Sequence, residues 1–134
     1  VARLGHLTGL MDLALAGTRI TDAGLAHVRA FMDLTRLDLS HTAISGAGLA
    51  HLEGLARLSD LDLEGTPLKD GTLEHLRALP RLTHLYLGGT PITDAGLASL
   101  AELPSLRLLD VTGCEAITAA VLAALTRPGL KIVH

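Results

Sequence analysis

Leu34-Thr35-Arg36-Leu37-Asp38-Leu39-Ser40-His41-Thr42-Ala43-Ile44-Ser45-Gly46-Ala47-Gly48-Leu49-Ala50-His51-Leu52 holds two hydrophobic periods in succession. Leu37 and Leu39 alternate with Arg36, Asp38 and Ser40, the two-residue period of a strand buried on one face. After Ile44, the leucines at 49, 52 and 55 recur at i, i+3 and i+6, which predicts one face of a helix. A strand, a turn and a helix of this size cannot bury their own apolar stripe, so the unit needs neighbours of its own kind.

The neighbours are in the chain. Leu10, Leu34, Leu58, Leu82, Leu106 and Leu130 recur every 24 residues, and the first five each open a segment close to LxxLxLxxT. Strands are predicted near 12–16, 36–40, 60–64, 84–88 and 108–112 in one parallel sheet, with helices near 22–31, 46–55, 70–79, 94–103 and 119–126 behind it. Stacking lines up a strand column, Leu13, Leu37, Leu61, Leu85 and Leu109, against a helix column, Leu25, Leu49, Leu73, Leu97 and Leu122. Ser45, with Thr21, Thr93 and Thr118 in the matching places, is placed to cap each helix, and Asp22, Asp70 and Asp94 sit in the first turn, where the helix dipole favours a carboxylate. The column Thr18, Thr42, Thr66, Thr90 and Cys114 falls where each strand ends, and its hydroxyls are expected to bond the backbone of adjacent turns as a ladder.

The recurring LxxLxLxxTxITDAGLAxL resembles the leucine-rich repeat, in the 24-residue form found in many bacterial proteins. The fifth unit, Cys114-Glu115-Ala116-Ile117-Thr118, has one extra residue before its Ile and is closer to the cysteine-containing repeats found beside F-box domains. The resemblance implies an α/β fold, a leucine-rich-repeat solenoid similar to ribonuclease inhibitor, with a curved parallel sheet on the concave face and helices on the convex face. It implies a role in protein recognition and carries over no catalytic residues. The expected organisation is a single domain over residues 1–134, about five repeats starting at 10, 34, 58, 82 and 106, with partial units at both ends. The period superposes Val1, Leu4 and Leu7 on Leu97, Leu100 and Leu103, so a chain opening inside a repeat is expected either to belong to a longer array or to associate end to end. Thr72 and Val121 depart from the pattern, standing where Gly24, Gly48 and Gly96 stand in other units.

Composition narrows the function. The net charge of −3 offers no basic field for a phosphate backbone, which argues against nucleic acid. A single cysteine, Cys114, allows neither an intrachain disulfide nor a CxxC metal site and fits a reducing compartment. No apolar run is long enough to suggest a membrane span. Gly46-Ala47-Gly48 opens a helix as a dinucleotide-binding turn would, but His51 stands where the third glycine belongs. His27, His51 and His75 form a column on the helices, yet equivalent residues on neighbouring helices lie too far apart to share a metal ion. Ser40 and His41 adjoin aspartates without any hydrolase motif around them. Neither cofactor, metal nor catalytic residue is therefore expected, and no enzyme activity.

Side chains flanking the buried strand leucines face solvent. One exposed column runs Asp12, Arg36, Asp60, His84 and Leu108, and alternating charge lets it largely satisfy itself. The next runs Ala14, Asp38, Asp62, Tyr86 and Asp110, and it sets Asp38 beside Asp62 with Glu64 nearby. That uncompensated charge, with Tyr86 as an anchor and Arg36 as partial relief, marks Arg36, Asp38, Asp60, Asp62, Glu64, His84, Tyr86 and Asp110 as a candidate face for a protein or peptide, a basic segment in particular. The alternative is a structural spacer, or a truncated or designed array with no ligand of its own.

Overall fold

A computed structural model describes residues 9–134 of the chain. Its strands are β1 (Asp12–Ala14), β2 (Arg36–Asp38), β3 (Asp60–Asp62), β4 (His84–Tyr86), β5 (Leu108–Asp110) and β6 (Lys131–Val133). They lie side by side in chain order, and every adjoining pair is parallel. Leu13, Leu37, Leu61, Leu85 and Leu109 pair in register, as the period requires; Leu109 then meets Ile132, one residue short of it. The regular strands have three residues rather than the expected five. The hydrogen-bonded ladder nonetheless runs on, with Leu39 N–H bonding Asp62 O at 2.8 Å and His41 N–H bonding Glu64 O at 2.7 Å.

On the other side of the sheet the chain is helical, but mostly not α-helical. Asp22–Ala30, Ala47–Leu52 and Asp70–Ala78 are 3-10 segments; α1 (Asp94–Ala98) passes into a further 3-10 segment, Ser99–Glu102, and only α2 (Ala119–Leu125) is α throughout. The expectation of ordinary helices is corrected by the spacing itself. Leu25, Val28 and Phe31, like Leu49, Leu52 and Leu55 or Leu73, Leu76 and Leu79, stand three residues apart twice over, and all nine are buried. A 3-10 helix, at 3.0 residues per turn, puts three such residues on one line. An α-helix would swing the third about 120° away from the first. In the fifth unit Pro128 takes the third place after Leu122 and Leu125, and that segment is α throughout.

The strand and helix columns form one apolar core from Leu13 to Leu125, with Leu122 only partly buried at its margin. Among the described residues no helix is long and apolar enough to cross a membrane. The expectation drawn from Val1, Leu4 and Leu7 lies outside the described residues.

Two polar expectations are corrected. The hydroxyls of Thr18, Thr42, Thr66 and Thr90 bond the carbonyl three residues back in their own turn, Leu15, Leu39, Leu63 and Leu87, at 2.6–2.7 Å. The short side chain at the bend reaches that carbonyl before any in the next turn; only Cys114, with its longer C–S bonds, crosses to Leu87 O at 3.0 Å. The ladder between turns is made elsewhere, at the strand entrances, where Thr35, Ser59 and Thr83 each bond the carbonyl of the preceding turn (Met11, Thr35, Ser59) at 3.1 Å. Nor do Thr21, Thr93 and Thr118 cap their own helices through their side chains, and Ser45 precedes the capping residue, Gly46. Instead the first-turn carboxylate of one unit reaches into the next: Asp70 accepts Thr93 N–H at 2.7 Å and Thr93 O–H at 2.5 Å, and Asp94 accepts the same two groups of Thr118 at 2.8 and 2.5 Å.

Candidate functional site

The exposed face of the sheet carries the residues singled out from the sequence. β2 and β3 set Asp38 directly opposite Asp62, and β4 and β5 continue the row with Tyr86 and Asp110. In the neighbouring row Arg36 Nε lies 3.9 Å from Asp12 Oδ1 and 4.0 Å from Asp60 Oδ2, and His84 Nδ1 lies 3.7 Å from Asp60 Oδ1. Self-satisfaction of this row is thus geometrically present but loose, and exposed pairs of this kind contribute only ~0.2–1 kcal/mol. Arg36, Asp38, Asp60, Asp62 and Tyr86 converge on a shallow depression of about 160 Å³ floored by Leu37 and Leu61. His84, Glu64 and Asp110 are not part of its lining. His84 turns to the Thr83 hydroxyl at 2.8 Å, and Glu64 extends toward His41, 3.8 Å away.

Strand-end geometry gives the aspartates a second role that the residue columns did not reveal. Asp38 Oδ1 accepts Ser40 N–H at 2.9 Å and Ser40 O–H at 2.7 Å; Asp62 Oδ1 accepts Glu64 N–H and Asp110 Oδ1 accepts Thr112 N–H, each at 2.9 Å. Each carboxylate therefore closes an Asx turn where its strand ends. The signal was present as Asp two residues before the chain bends. Ser40 spends its hydroxyl on Asp38, which leaves it no hydrogen bond to a histidine base, and His41 occupies the left-handed backbone region at φ 54°, where the other turns have Gly17, Gly65, Gly89 and Gly113. The histidine column does not converge: His27 is exposed, and His75 Nδ1 lies 2.6 Å from Glu53 Oε1. No cluster of metal-ligating side chains occurs among the described residues.

Electrostatics single out Asp62. Burial pushes its carboxyl above the ordinary carboxylate range; the Glu64 amide pulls it down, while the charges of Asp38 and Glu64 push it up and His41 opposes them. Tyr86 is raised as well, first by burial and then by Asp60, Asp62 and Asp110. Because Asp62 is raised in the folded state, it favours folding only while protonated, and that contribution is lost as pH rises from the unfolded value through the folded one. Asp62→Asn keeps an acceptor for the Glu64 amide and removes the charge. We expect it to stabilise the protein at pH 7 by about 0.2–1 kcal/mol, the cost of like charges facing across strands, or about 1–3 °C in Tm. Thermal melts at pH 7 and pH 3 check this, since the gain should shrink at pH 3, where the raised Asp62 carboxyl is largely protonated; a lower Tm at pH 7 would mean that the charge is compensated.

Comparison with known proteins agrees with this architecture. The family profile described as Leucine Rich repeat matches residues 32–52 and 78–101. The crystal structure of an internalin from Listeria monocytogenes superposes with a TM-score of 0.56 at 18% identity, over 99% of this chain and 50% of that one. The chain thus spans about half the length of that internalin. No curated protein sequence matches it. Repeated strand register, buried leucine columns, profile match over two stretches and shared architecture converge, and the chain has the fold of a leucine-rich-repeat solenoid.

Proposed function

We propose that the chain is a single recognition domain of about five 24-residue repeats, starting at 10, 34, 58, 82 and 106, whose exposed sheet face binds a basic segment of a protein partner without catalysis or cofactor. The observation that carries this is the row Asp38–Asp62–Tyr86 across adjacent strands, with Asp62 pushed up by burial and like charge. A lysine or arginine laid over the depression would neutralise that charge, and its aliphatic stem would cover Tyr86. Repeat proteins commonly use their extended concave surfaces for such contacts.

A specific observation favours the spacer reading: the same aspartates already close turns through one oxygen each. The two readings differ in solution. A fluorescein-labelled nonalysine peptide, followed by anisotropy at low salt, should bind the chain, and Asp38→Lys with Asp62→Lys should weaken it at least tenfold while circular dichroism stays unchanged. Equal affinity for the double variant would move the site off this face; no binding to the unaltered chain would leave the spacer.

A further inference from the structure

A second recess lies away from the sheet face, where the helical segments return to the strand entrances. It measures about 710 Å³, within the ~300–1,000 Å³ typical of ligand pockets. Its walls come from three successive turns: Pro80, Arg81 and Thr83; Pro104, Ser105 and Arg107; Arg127, Pro128 and Gly129. In a chain of net charge −3, this recess is lined by three arginines and no carboxylate. Arg127 is spent on structure, donating to the carbonyls of Ala101 and Leu103. Thr83 and Ser105 are spent as well, on Ser59 O at 3.1 Å and Leu82 O at 2.9 Å. Arg81 and Arg107 are different. Both are exposed, and neither forms an ion pair or a side-chain hydrogen bond among the described residues, whereas Arg36, Arg57 and Arg77 all face carboxylates. Pro80, Pro104 and Pro128 stiffen the same wall, since proline fixes its own φ.

We propose that this recess binds an acidic segment of a protein partner in extended form, with Arg81 and Arg107 each taking one carboxylate. The guanidinium fork matches a carboxylate with two parallel hydrogen bonds, and both arginines are free to supply them. The recess runs across neighbouring turns, about 4.8 Å apart at the strands, and alternate side chains of an extended peptide repeat at about 6.6–6.8 Å. The two spacings differ by about 2 Å, which the long, exposed side chains of Arg81 and Arg107 can take up, so an extended stretch with acidic residues at alternate positions can place a carboxylate near each arginine. A long polyanion such as nucleic acid would have to leave this recess over a surface of net negative charge, which favours a short acidic stretch of polypeptide.

The test uses the full chain and a fluorescein-labelled hexaglutamate peptide, followed by anisotropy at 20 mM and 200 mM salt. Binding should appear at low salt, weaken at high salt, and fall at least tenfold in Arg81→Gln with Arg107→Gln, both exposed positions whose thermal melt should not move. Asp62→Asn should leave it unchanged, so a failed sheet-face reading and a failed recess reading give different results. Two outcomes would overturn the proposal: the double variant binding hexaglutamate as tightly as the unaltered chain, or inorganic phosphate at equal molar concentration displacing the peptide completely, which would reduce the recess to a simple anion site.

Discussion

Leu61→Ala should lower the free energy of unfolding by about 3–5 kcal/mol, in the upper half of the range for buried leucines truncated to alanine. Leu61 is fully buried on β3 and pairs on one side with Leu37 and on the other with Leu85. Truncation opens a hole between two stacked layers, and flanking turns tied by backbone ladders cannot easily close it. The same change at Leu13, 9% exposed on β1, touches one described interface rather than two and should cost about 2–3 kcal/mol. Solenoid stability is close to a sum over neighbouring units, so the central loss should also weaken the coupling between the two halves. Urea unfolding followed by circular dichroism measures both effects: a lower midpoint reports the loss, and a lower slope reports halves that melt apart. A cost under about 1 kcal/mol at Leu61 would mean that the layers relax into the space, contrary to close packing.

What the sequence could disclose follows from what stacking demands. Identical environments recur every 24 residues, so the leucine columns, the parallel register and the facing of Asp38 on Asp62 were all readable from spacing alone. Local geometry was less so. The spacing of three in Leu49, Leu52 and Leu55 reads as an ordinary helix because three residues fall near one α-helical turn, and the α and 3-10 readings diverge only at the third residue; the segment Ala47–Leu52 is 3-10. The strand-end column of Thr42 and Thr66 was visible, but nothing in its spacing says which carbonyls it can reach; the structure gives it own-turn carbonyls and gives the preceding-turn carbonyls to Thr35 and Ser59, which the strand pattern did not single out. At the candidate face, the columns located the side chains but not their second use in Asx turns, nor the turning of Glu64 toward His41. The arginine recess escaped because Arg81 and Arg107 stand at different places in the repeat and meet only once adjacent turns are stacked.

Carboxylates reaching from one unit into the next set the remaining expectation. Asp22 accepts four hydrogen bonds from the following turn: Ser45 O–H at 2.6 Å, Ser45 N–H and Gly46 N–H at 3.2 Å, and Gly48 N–H at 2.9 Å. Gly48 fits there because a side chain would strike the Asp22 backbone, its Cβ falling 2.7 Å from the carbonyl oxygen. The next step of the solenoid shows the complementary solution. Gly46 replaces the aspartate, Lys69 replaces the hydroxyl residue, and Thr72 takes the place of the glycine, its side chain filling the space over Gly46. Asp22→Ala should therefore cost about 2–3 kcal/mol, because three amides and a hydroxyl lose a charged acceptor and water replaces it only in part. Lys69→Ala, where no such bracket exists, should cost under about 0.5 kcal/mol. Burial pushes the Asp22 carboxyl up, but the bonds from Ser45, Gly48 and Gly46 outweigh it and hold it below the ordinary value. A lowered carboxylate stabilises the fold above the unfolded value, about 3.9, and loses that contribution as pH falls through the folded value. The gap between Asp22→Ala and the unaltered chain should accordingly be constant from pH 5 to 8 and narrow below about pH 4. Urea midpoints across that range decide it: a gap undiminished at pH 2 would assign the loss to packing against Gly48 rather than to the carboxylate's hydrogen bonds.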